Sequence, residues 1–237
     1  MLAFVAAEAR EFLGLLRNAE RVSKLNWPLD FARIAWLNGR AAVLVANGPG
    51  PKLAGQAVEI VRRRQELNGL VSTGFCGALD PALKPSDIFV GTQILSRGPE
   101  GAPMQSLAPA RGSVHTGRSF HTGTILSMDR VAFTTAEKAE LRKTGAGVIE
   151  MEAAAVEQKA CEYDLPFYCI RVVTDTADEN LPLDFNRMRD ANGRFSRTRI
   201  LAAAFRSPAV FPKLINLNKR CKDAAQALGD FIADTRF

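Results

Sequence analysis

Short apolar runs alternate with amphipathic stretches along most of the chain. The runs have the length of buried strands. They lie at 2–7, 41–46, 69–73, 87–95, 124–128, 148–149 and 167–173. The stretches between them repeat apolar residues at helical spacing. The helices they predict cover 8–16, 53–64, 152–163 and 214–232. This alternation predicts a layered α/β fold around a largely parallel or mixed sheet, with ligand sites at the carboxyl ends of the strands.

The length and apolar content of the chain fit a single domain. With 237 residues and 47% hydrophobic residues, the chain can bury one full core over 1–237. From about residue 180 the pattern changes to an arginine-rich stretch that runs to Arg206 and is followed by Pro208 and Pro212. We expect this part to be an atypical basic elaboration of the core, serving as a lid or an oligomer contact.

The net charge of +6 narrows the classes of partner only slightly. The basic residues are scattered, and those at 62–64 fall on a predicted helix whose solvated face explains them, so no nucleic-acid partner is predicted. No apolar run approaches the roughly 18 residues that cross a bilayer, and Glu8 is an acid where a signal peptide would be basic or apolar. We therefore expect a cytoplasmic protein with no stable membrane insertion.

The cysteines give no indication of a metal or a disulfide framework. Four are present and none forms a Cys-x-x-Cys pair. The sequence therefore predicts no metal site.

Two glycine-rich turns follow predicted strands. Asn47-Gly48-Pro49-Gly50 lacks the spacing of a dinucleotide fingerprint and the lysine of a P-loop. The second turn, Thr73-Gly74-Phe75-Cys76-Gly77, has the same ambiguity. Each is either a tight structural turn or a place where backbone N–H groups approach an oxygen-rich ligand.

The triplet Glu150-Met151-Glu152 comes directly off an apolar strand. One acid in the first turn of a helix is explained by the helix dipole, but two acids flanking a methionine exceed that explanation. A carboxylate can accept hydrogen bonds from vicinal hydroxyls, and methionine offers a soft surface to a sugar or a thioether. The triplet therefore predicts a ligand site that includes Glu150, Met151 and Glu152.

The strand 167–173 leads into Thr174 and Asp175. Partial burial at the carboxyl edge of the sheet would raise the pKa of Asp175 and make it a proton donor, although a role in capping the following turn is an equal alternative. Arg171, earlier on the same strand, needs a carboxylate partner, and Glu152 is the natural one.

Four segments together resemble the nucleoside phosphorylase and nucleosidase superfamily. They are Thr73–Leu79, Asp87–Val90, Glu150–Glu152 and Arg171–Asp175. The pattern is most similar to that of the methylthioadenosine and S-adenosylhomocysteine nucleosidases. The resemblance implies a three-layer α/β fold in which a mixed, distorted central sheet is flanked by helices. It also implies an enzyme that cleaves the N-glycosidic bond of an adenosine-type purine nucleoside without a cofactor.

The resemblance also implies roles for individual residues. Asp175, with Thr174 beside it, would protonate N7 of the leaving purine. Glu152 would hold the ribose hydroxyls, assisted by the backbone of Met151 and oriented by Arg171. Two further groups of residues would contact the substrate. They are the shelf of Thr73, Gly74 and Phe75 and, against the base, Val131 within 129–132.

The family's nucleosidases also carry a glutamate after the first strand that activates the attacking water. Ungapped alignment of that strand selects Glu11, while the Glu-Ala-Arg context of Glu8 makes it the rival. The family's phosphorylases hold phosphate with an arginine and a serine, but Ser72 and Phe75 stand at those places here. This departure favours water as the acceptor.

Two alternatives remain open. One is phosphorolysis of the same bond, with phosphate held by Arg130, Arg118 or a neighbouring subunit. The other is a catalytically impaired nucleoside-binding protein, for which Phe75 is the reason.

The resemblance suggests a homodimer or homotrimer that acts on a small-molecule nucleoside. Beyond residue 180 the likeness is looser and is to hopanoid-associated members that act on adenosylated lipids. Phe185, Phe195 and Phe205 could cover a thioether or a larger group on the 5′ side of the ribose. Peripheral membrane association through the arginine-rich residues 187–206 is a further possibility.

Overall fold

The computed structural model describes residues 1–97, 104–107 and 112–237. Within them the strands are β1 (Leu2–Ala6), β2 (Arg21–Lys24), β3 (Phe31–Leu37), β4 (Arg40–Ala46), β5 (Gly69–Ala78), β6 (Ile88–Arg97), β7 (Met104–Ser106), β8 (His121–Met128), β9 (Val148–Glu150) and β10 (Phe167–Asp175). The α-helices are α1 (Leu13–Asn18), α2 (Pro51–Arg62), α3 (Thr135–Arg142), α4 (Ala153–Glu162), α5 (Arg197–Arg206) and α6 (Val210–Ala233). Short 3-10 helices cover Ala9–Phe12 and Phe185–Met188.

All of these strands join in one sheet of mixed direction. β1 lies between β4 and β5 and is parallel to both, and β5 is also parallel to β10. β3 and β2 extend the β4 edge as antiparallel strands. Beyond β5 the sheet closes on itself in the order β5, β10, β6, β8 and β9, because β5 pairs with both β10 and β9. The predicted α/β fold with a mixed, distorted sheet is confirmed.

Helices cover both faces of the sheet and complete three layers. α2 and α4 pack on one face, where Val58 and Val156 join the larger core cluster. α1 and α6 pack on the other face through Leu15, Leu228 and Phe231. β10 is therefore buried along its whole length, which explains why its sequence reads as a continuous apolar run.

Helix α2 shows how the local sequence positions the site. Pro51 occupies its first position, where a missing N–H costs nothing. Leu53, Ala57 and Val61 then repeat at helical spacing and are buried. The helix therefore starts directly after the glycine-rich turn, at the carboxyl end of β4.

Several predicted elements differ from the observed ones. The helix expected over 8–16 is a 3-10 turn followed by the short α1. The sequence pattern missed the β2–β3 hairpin. β2 is exposed along its whole length and shows no apolar alternation, whereas β3 is an apolar, partly buried run that the prediction omitted. The pattern also missed α3, and it assigned no helix to the arginine-rich stretch that contains α5. Within the described residues no helix has the length and apolar character needed to cross a bilayer.

Candidate active site

A cavity of about 550 Å³ lies where several strands end. β1, β5 and β10 run parallel, so their carboxyl ends meet at one edge of the sheet. Glu11 follows β1, Phe75 lies near the end of β5, and Asp175 ends β10. Glu150 and Glu152 arrive beside them from the end of β9. All five side chains line the cavity, whose size suits a small molecule.

Among the described residues, Arg171 is the largest side chain that is fully buried. A buried guanidinium requires charged and polar partners. Its Nη2 forms an ion pair with Glu150 and donates to Ser72 Oγ at 2.5 Å, while Nη1 donates to the carbonyl of Thr73 at 3.0 Å and lies 3.4 Å from Glu152 Oε2. The predicted pairing with Glu152 is present, but Glu150 is the closer partner.

The carboxylate of Glu150 is engaged by the protein itself. It accepts the backbone N–H groups of Glu152 at 3.0 Å and of Ala153 at 2.9 Å, in addition to its pairing with Arg171. These amides belong to the start of α4, where the helix dipole also favours an anion. Glu150 therefore fixes the position of Arg171 and of the following turn, and Glu152 is the acid of the triplet with free acceptor capacity.

Glu152 accepts a hydrogen bond from a backbone N–H group that the sequence did not predict as its partner. Its Oε1 accepts the backbone N–H of Gly50 at 2.9 Å. Gly50 has a φ of 97°, a conformation that favours glycine. The turn of residues 47–50 therefore acts on the site by holding this carboxylate. Burial raises the pKa of Glu152, and the neighbouring Glu150 raises it further against the lowering effect of Arg171.

Asp175 is buried between a hydroxyl and a lysine. Its Oδ1 accepts the Thr174 hydroxyl at 2.9 Å, and its Oδ2 accepts Nζ of Lys138 at 2.6 Å. Burial raises the pKa of Asp175, while Lys138 and Thr174 oppose that rise. The carboxyl group therefore keeps a proton to higher pH than an exposed aspartate does.

Lys138 is itself fully buried on α3. Besides Asp175, its ammonium group donates to the carbonyls of Thr176 at 2.6 Å and Glu179 at 3.2 Å, which uses all three of its donors. Sequence analysis did not identify this residue. Thr134 and Glu137 show the spacing of a helix start and could have revealed α3, but nothing in the sequence pairs Lys138 with Asp175.

The geometry separates the two candidate water-activating glutamates. Glu11 is 5% exposed, and its two oxygens accept the backbone N–H groups of Phe75 at 2.8 Å and of Glu8 at 2.7 Å. Burial raises the pKa of Glu11, and these two hydrogen bonds oppose the rise. The side chain of Glu8 is 34% exposed and pairs with Arg10 at 2.5 Å. Gly74 permits the approach of Glu11, since a Cβ at that position would lie 2.5 Å from Glu11 Oε1.

Residues 129–132, which are expected to contact the base, are held by hydrogen bonds to side chains that do not line the cavity. Val131 lines the cavity, and its backbone N–H and C=O bond to the side-chain amide of Asn186 at 2.8 and 2.9 Å. Arg189 donates to the carbonyl and carboxylate oxygens of Asp129 at 3.0 and 2.8 Å. The part of the chain after residue 180 therefore fastens this wall.

One part of the cavity wall is mainly apolar, with Arg197 and Asn218 as polar exceptions. It comes from the chain after residue 180, mainly α5 and the first half of α6. The apolar residues are Leu181, Phe185, Phe195, Ile200, Leu201, Ala204, Phe211, Leu214, Ile215 and Leu217. Phe185 and Phe195 face the cavity as expected and contact each other at 6.0 Å, but Phe205 is 73% exposed and is not part of the wall.

Comparison with known proteins identifies the family of the chain. The family model of the phosphorylase superfamily matches residues 8–205, which is most of the chain. The chain belongs to the phosphorylase superfamily. This confirms the resemblance found in the sequence motifs.

Relatives of this superfamily member match over most of their length. The 5′-methylthioadenosine/S-adenosylhomocysteine nucleosidase of Baumannia cicadellinicola is 28% identical over 185 residues, which cover 68% of this chain and 80% of that protein. The nucleosidase of the same name from Bacillus licheniformis is 23% identical over 194 residues, covering 69% and 80%. The crystal structure of the Neisseria meningitidis nucleosidase with methylthio-immucillin-A has a TM-score of 0.71 at 22% identity, with 98% and 96% coverage. The last comparison shows the shared fold.

The predicted site residues of this phosphorylase superfamily member divide into two groups. The cavity wall contains Asp175, Glu11, Glu8, Glu152, Met151, Glu150, Thr174, Phe75 and Val131. Arg171, Thr73 and Gly74 are not part of that wall. Arg171 contacts Glu152 and Gly74 lies against Glu11, while the carbonyl of Thr73 accepts a hydrogen bond from Arg171. The Thr73 hydroxyl is buried, and within the described residues it has no hydrogen-bond partner.

The arginines considered for phosphate binding are placed differently. Arg118 pairs with Asp234 at 2.5 Å and is not part of the cavity wall. Arg130 lines the cavity but forms an ion pair with Glu137. Arg10, which sequence analysis passed over, also lines the cavity.

Proposed function

We propose that this protein hydrolyses the N-glycosidic bond of a purine nucleoside. The observation that carries the proposal is the convergence of Asp175, Glu152 and Glu11, three buried acids distant in the chain, on one cavity. Each acid has a separate set of protein partners, which suits three separate tasks. The two curated relatives described above are named as nucleosidases of methylthioadenosine and S-adenosylhomocysteine, which agrees with this assignment.

In the proposed reaction Asp175 is the general acid. The bond between C1′ of the ribose and N9 breaks, and its electron pair moves to the purine as N7 takes a proton from Asp175. The raised pKa of Asp175 suits this donor role. Positive charge then develops on the ribose as an oxocarbenium-like transition state.

Glu152 holds the sugar in this proposal. Gly50 and Arg171 each occupy one of its carboxylate oxygens, and the remaining lone pairs can accept the vicinal ribose hydroxyls. A carboxylate fixed on two sides orients the sugar without paying for its own ordering during the reaction.

Glu11 is the proposed base. It takes a proton from water as the oxygen attacks C1′, so the products are free purine and the sugar with a hydroxyl group at C1′. Its two backbone hydrogen bonds fix the carboxylate. This fixed orientation favours Glu11 over the partly exposed Glu8, and Phe75, which lacks a polar side chain, supports water over phosphate.

The apolar end of the cavity supports an apolar substituent on the 5′ side of the ribose. Phe185, Phe195 and Phe211 are among its wall residues. Apolar walls favour a thioether or hydrocarbon over a free hydroxyl or a phosphate. Methylthioadenosine is therefore a better probe of this site than adenosine.

The test is release of free base from adenosine and from methylthioadenosine, with and without phosphate. Removing a general acid typically lowers the rate about 10²- to 10⁴-fold, so Asp175→Asn should lose turnover by about this factor while its melting temperature shows that it still folds. Asp223→Asn, at an exposed position on α6, is the matched control and should keep full activity. Unchanged turnover in Asp175→Asn would contradict the proposal, as would tight ligand binding without product, which would identify an impaired binding protein.

Arg10 favours phosphorolysis as the second candidate. It lines the cavity, and its guanidinium lies 5.7 Å from the centroid of the Phe75 ring, near the proposed position of the acceptor. Its existing pairing with Glu8 works against phosphate binding, because phosphate would have to replace that carboxylate. Strict dependence of base release on phosphate, lost in Arg10→Gln, would establish phosphorolysis.

A further inference from the structure

Helices α5 and α6 expose large apolar side chains at the outer surface. Leu201 is 53% exposed, Phe205 is 73% exposed and Ile215 is 68% exposed. Leu201 and Phe205 lie four residues apart on α5 and so share one face of that helix. A single exposed apolar residue needs no explanation, but several large ones on adjacent helices indicate an interaction surface.

This surface is continuous with the cavity. Leu201 and Ile215 line the cavity and are also more than half exposed. Arg197, another wall residue, is exposed as well. These exposed wall residues place α5 and α6 at the edge of the cavity.

The same part of the chain carries only positive charge. Residues 191–222 contain eight lysines and arginines and no aspartate or glutamate. Arg194 and Arg220 pair with acids elsewhere in the protein. Arg199 and Arg206 are exposed. Within the part of the chain that the structure describes neither forms an ion pair, and Nη1 of Arg199 donates only to the backbone carbonyl of Arg189.

We propose that this α5–α6 surface docks on an anionic phospholipid bilayer. Apolar side chains of an interfacial helix enter the boundary between head groups and acyl chains, and flanking basic residues bind the anionic head groups. A second copy of the chain fits less well, because a two-fold contact through this surface would bring like charges together. Docking holds the mouth of the cavity against the lipid. The inference goes beyond the proposed function, since binding requires no turnover.

The test is cosedimentation of the purified full-length protein with vesicles, without nucleoside. We expect binding to vesicles of equal parts phosphatidylcholine and phosphatidylglycerol, little binding to phosphatidylcholine alone, and loss of binding as sodium chloride is raised. The double variant Arg199→Gln/Arg206→Gln should bind roughly 10- to 30-fold more weakly, because each basic residue near an anionic surface contributes about fivefold. Phe205→Ser should weaken binding roughly tenfold.

Matched control variants remove the same kinds of side chain, two arginines or one apolar residue, at positions outside the α5–α6 surface. Arg62→Gln/Arg63→Gln removes two exposed charges at the end of α2, and Val22→Ser removes a 42% exposed apolar residue on β2. Both should bind vesicles as the unmodified protein does. No binding to the anionic vesicles at low salt, or equal weakening by the control variants, overturns the proposal. So does loss of a dimer in Phe205→Ser when no variant binds vesicles, a result that would assign the surface to a second copy.

Discussion

At the scale of single residues, the proton affinity of Asp175 in the cavity depends on Lys138, a residue that does not line the cavity. Lys138 reaches Asp175 from α3 and is fully buried. A cation next to a carboxylate stabilises its ionised form, whereas burial stabilises the protonated form. The proton affinity of the proposed acid is therefore set by the balance between these two opposing effects.

Replacing Lys138 with methionine should change the pH profile of the reaction. The variant keeps the apolar stem but removes the cation that lowers the pKa of Asp175. Because the proposed general acid Asp175 would act in its protonated form, the alkaline limb of kcat/KM should move to higher pH in Lys138→Met. The measurement is kcat/KM against pH for the unmodified protein and the variant.

The control for this substitution is Lys143→Met, at the end of the same helix, where the lysine pairs with Glu140 in solvent. Its profile should match that of the unmodified protein. A lower rate at every pH with no shift of the alkaline limb would mean that Lys138 has only a structural role and does not set the pKa of Asp175.

The sequence predicted the acids of the site more readily than their partners. Asp175, Glu152 and Glu11 were found because each follows an apolar strand or belongs to a family motif. Their contacts with Lys138 and Gly50 cross 37 and 102 positions of the chain. No spacing rule connects residues so far apart, so these contacts are visible only in the folded structure.

At the scale of elements, the start of α2 holds the carboxylate of Glu152, the residue proposed to bind the sugar. Gly50 is the N-cap of this helix, and its backbone N–H donates to Glu152. A Cβ at Gly50 would lie 2.7 Å from Asp129 Oδ1, and φ is 97° there. The turn therefore tolerates only glycine without a shift in the backbone that holds the carboxylate.

Gly50→Ala should weaken substrate binding and stability together. Strain of this kind costs about 1 to 3 kcal/mol, and a displaced N–H would loosen Glu152, so we expect a higher KM and a lower melting temperature. Gly55→Ala, in the middle of the same helix, is the control because a Cβ there meets nothing within 4 Å. That change should stabilise the protein by about 0.4 to 1 kcal/mol and leave KM unchanged. Equal effects of the two substitutions would show that the turn has no part in binding.

Elements with strong apolar patterns were predicted best. β10 and α2 carry buried faces that the sequence displays directly. β2 is solvent-exposed, and α5 is a short helix with a single fully buried residue, Ala204. Such elements are held by neighbouring strands or by tertiary contacts, so their own residues give little sign of them.

At the scale of the whole molecule, the cavity combines two parts of the chain with different sequence signals. The core sheet supplies the acids, and the chain after residue 180 supplies the apolar wall. The fold class followed from the alternation of strands and helices, but the role of the basic tail did not. Its arginine content concealed the apolar residues of α5 and α6 that line the cavity in the folded structure.

The buried acids should also make the stability of the whole molecule depend on pH. Burial raises the pKa of Glu152, Glu11 and Asp175 above their ordinary values. The folded state then binds protons more tightly than the unfolded state, so the free energy of unfolding should fall as pH rises above the ordinary carboxyl range of about 4. The loss is complete only once pH exceeds the raised pKa values of the folded state. Without ligand, the melting temperature should therefore decline from about pH 5 to about pH 9.

Glu152→Gln should flatten this decline, because it removes one of the titrating groups, whatever its effect on the melting temperature at any single pH. Glu140→Gln, which removes an exposed acid from α3, should leave the slope unchanged. The measurement is the melting temperature of the three proteins across this range at constant ionic strength. A slope in Glu152→Gln equal to that of the unmodified protein would show that this carboxyl group titrates alike in the folded and unfolded states. Such a result would mean that burial does not disfavour the ionised form of Glu152. The proposed hydrogen bonds from the ribose hydroxyls would then not be strengthened by prior loss of water from this carboxylate.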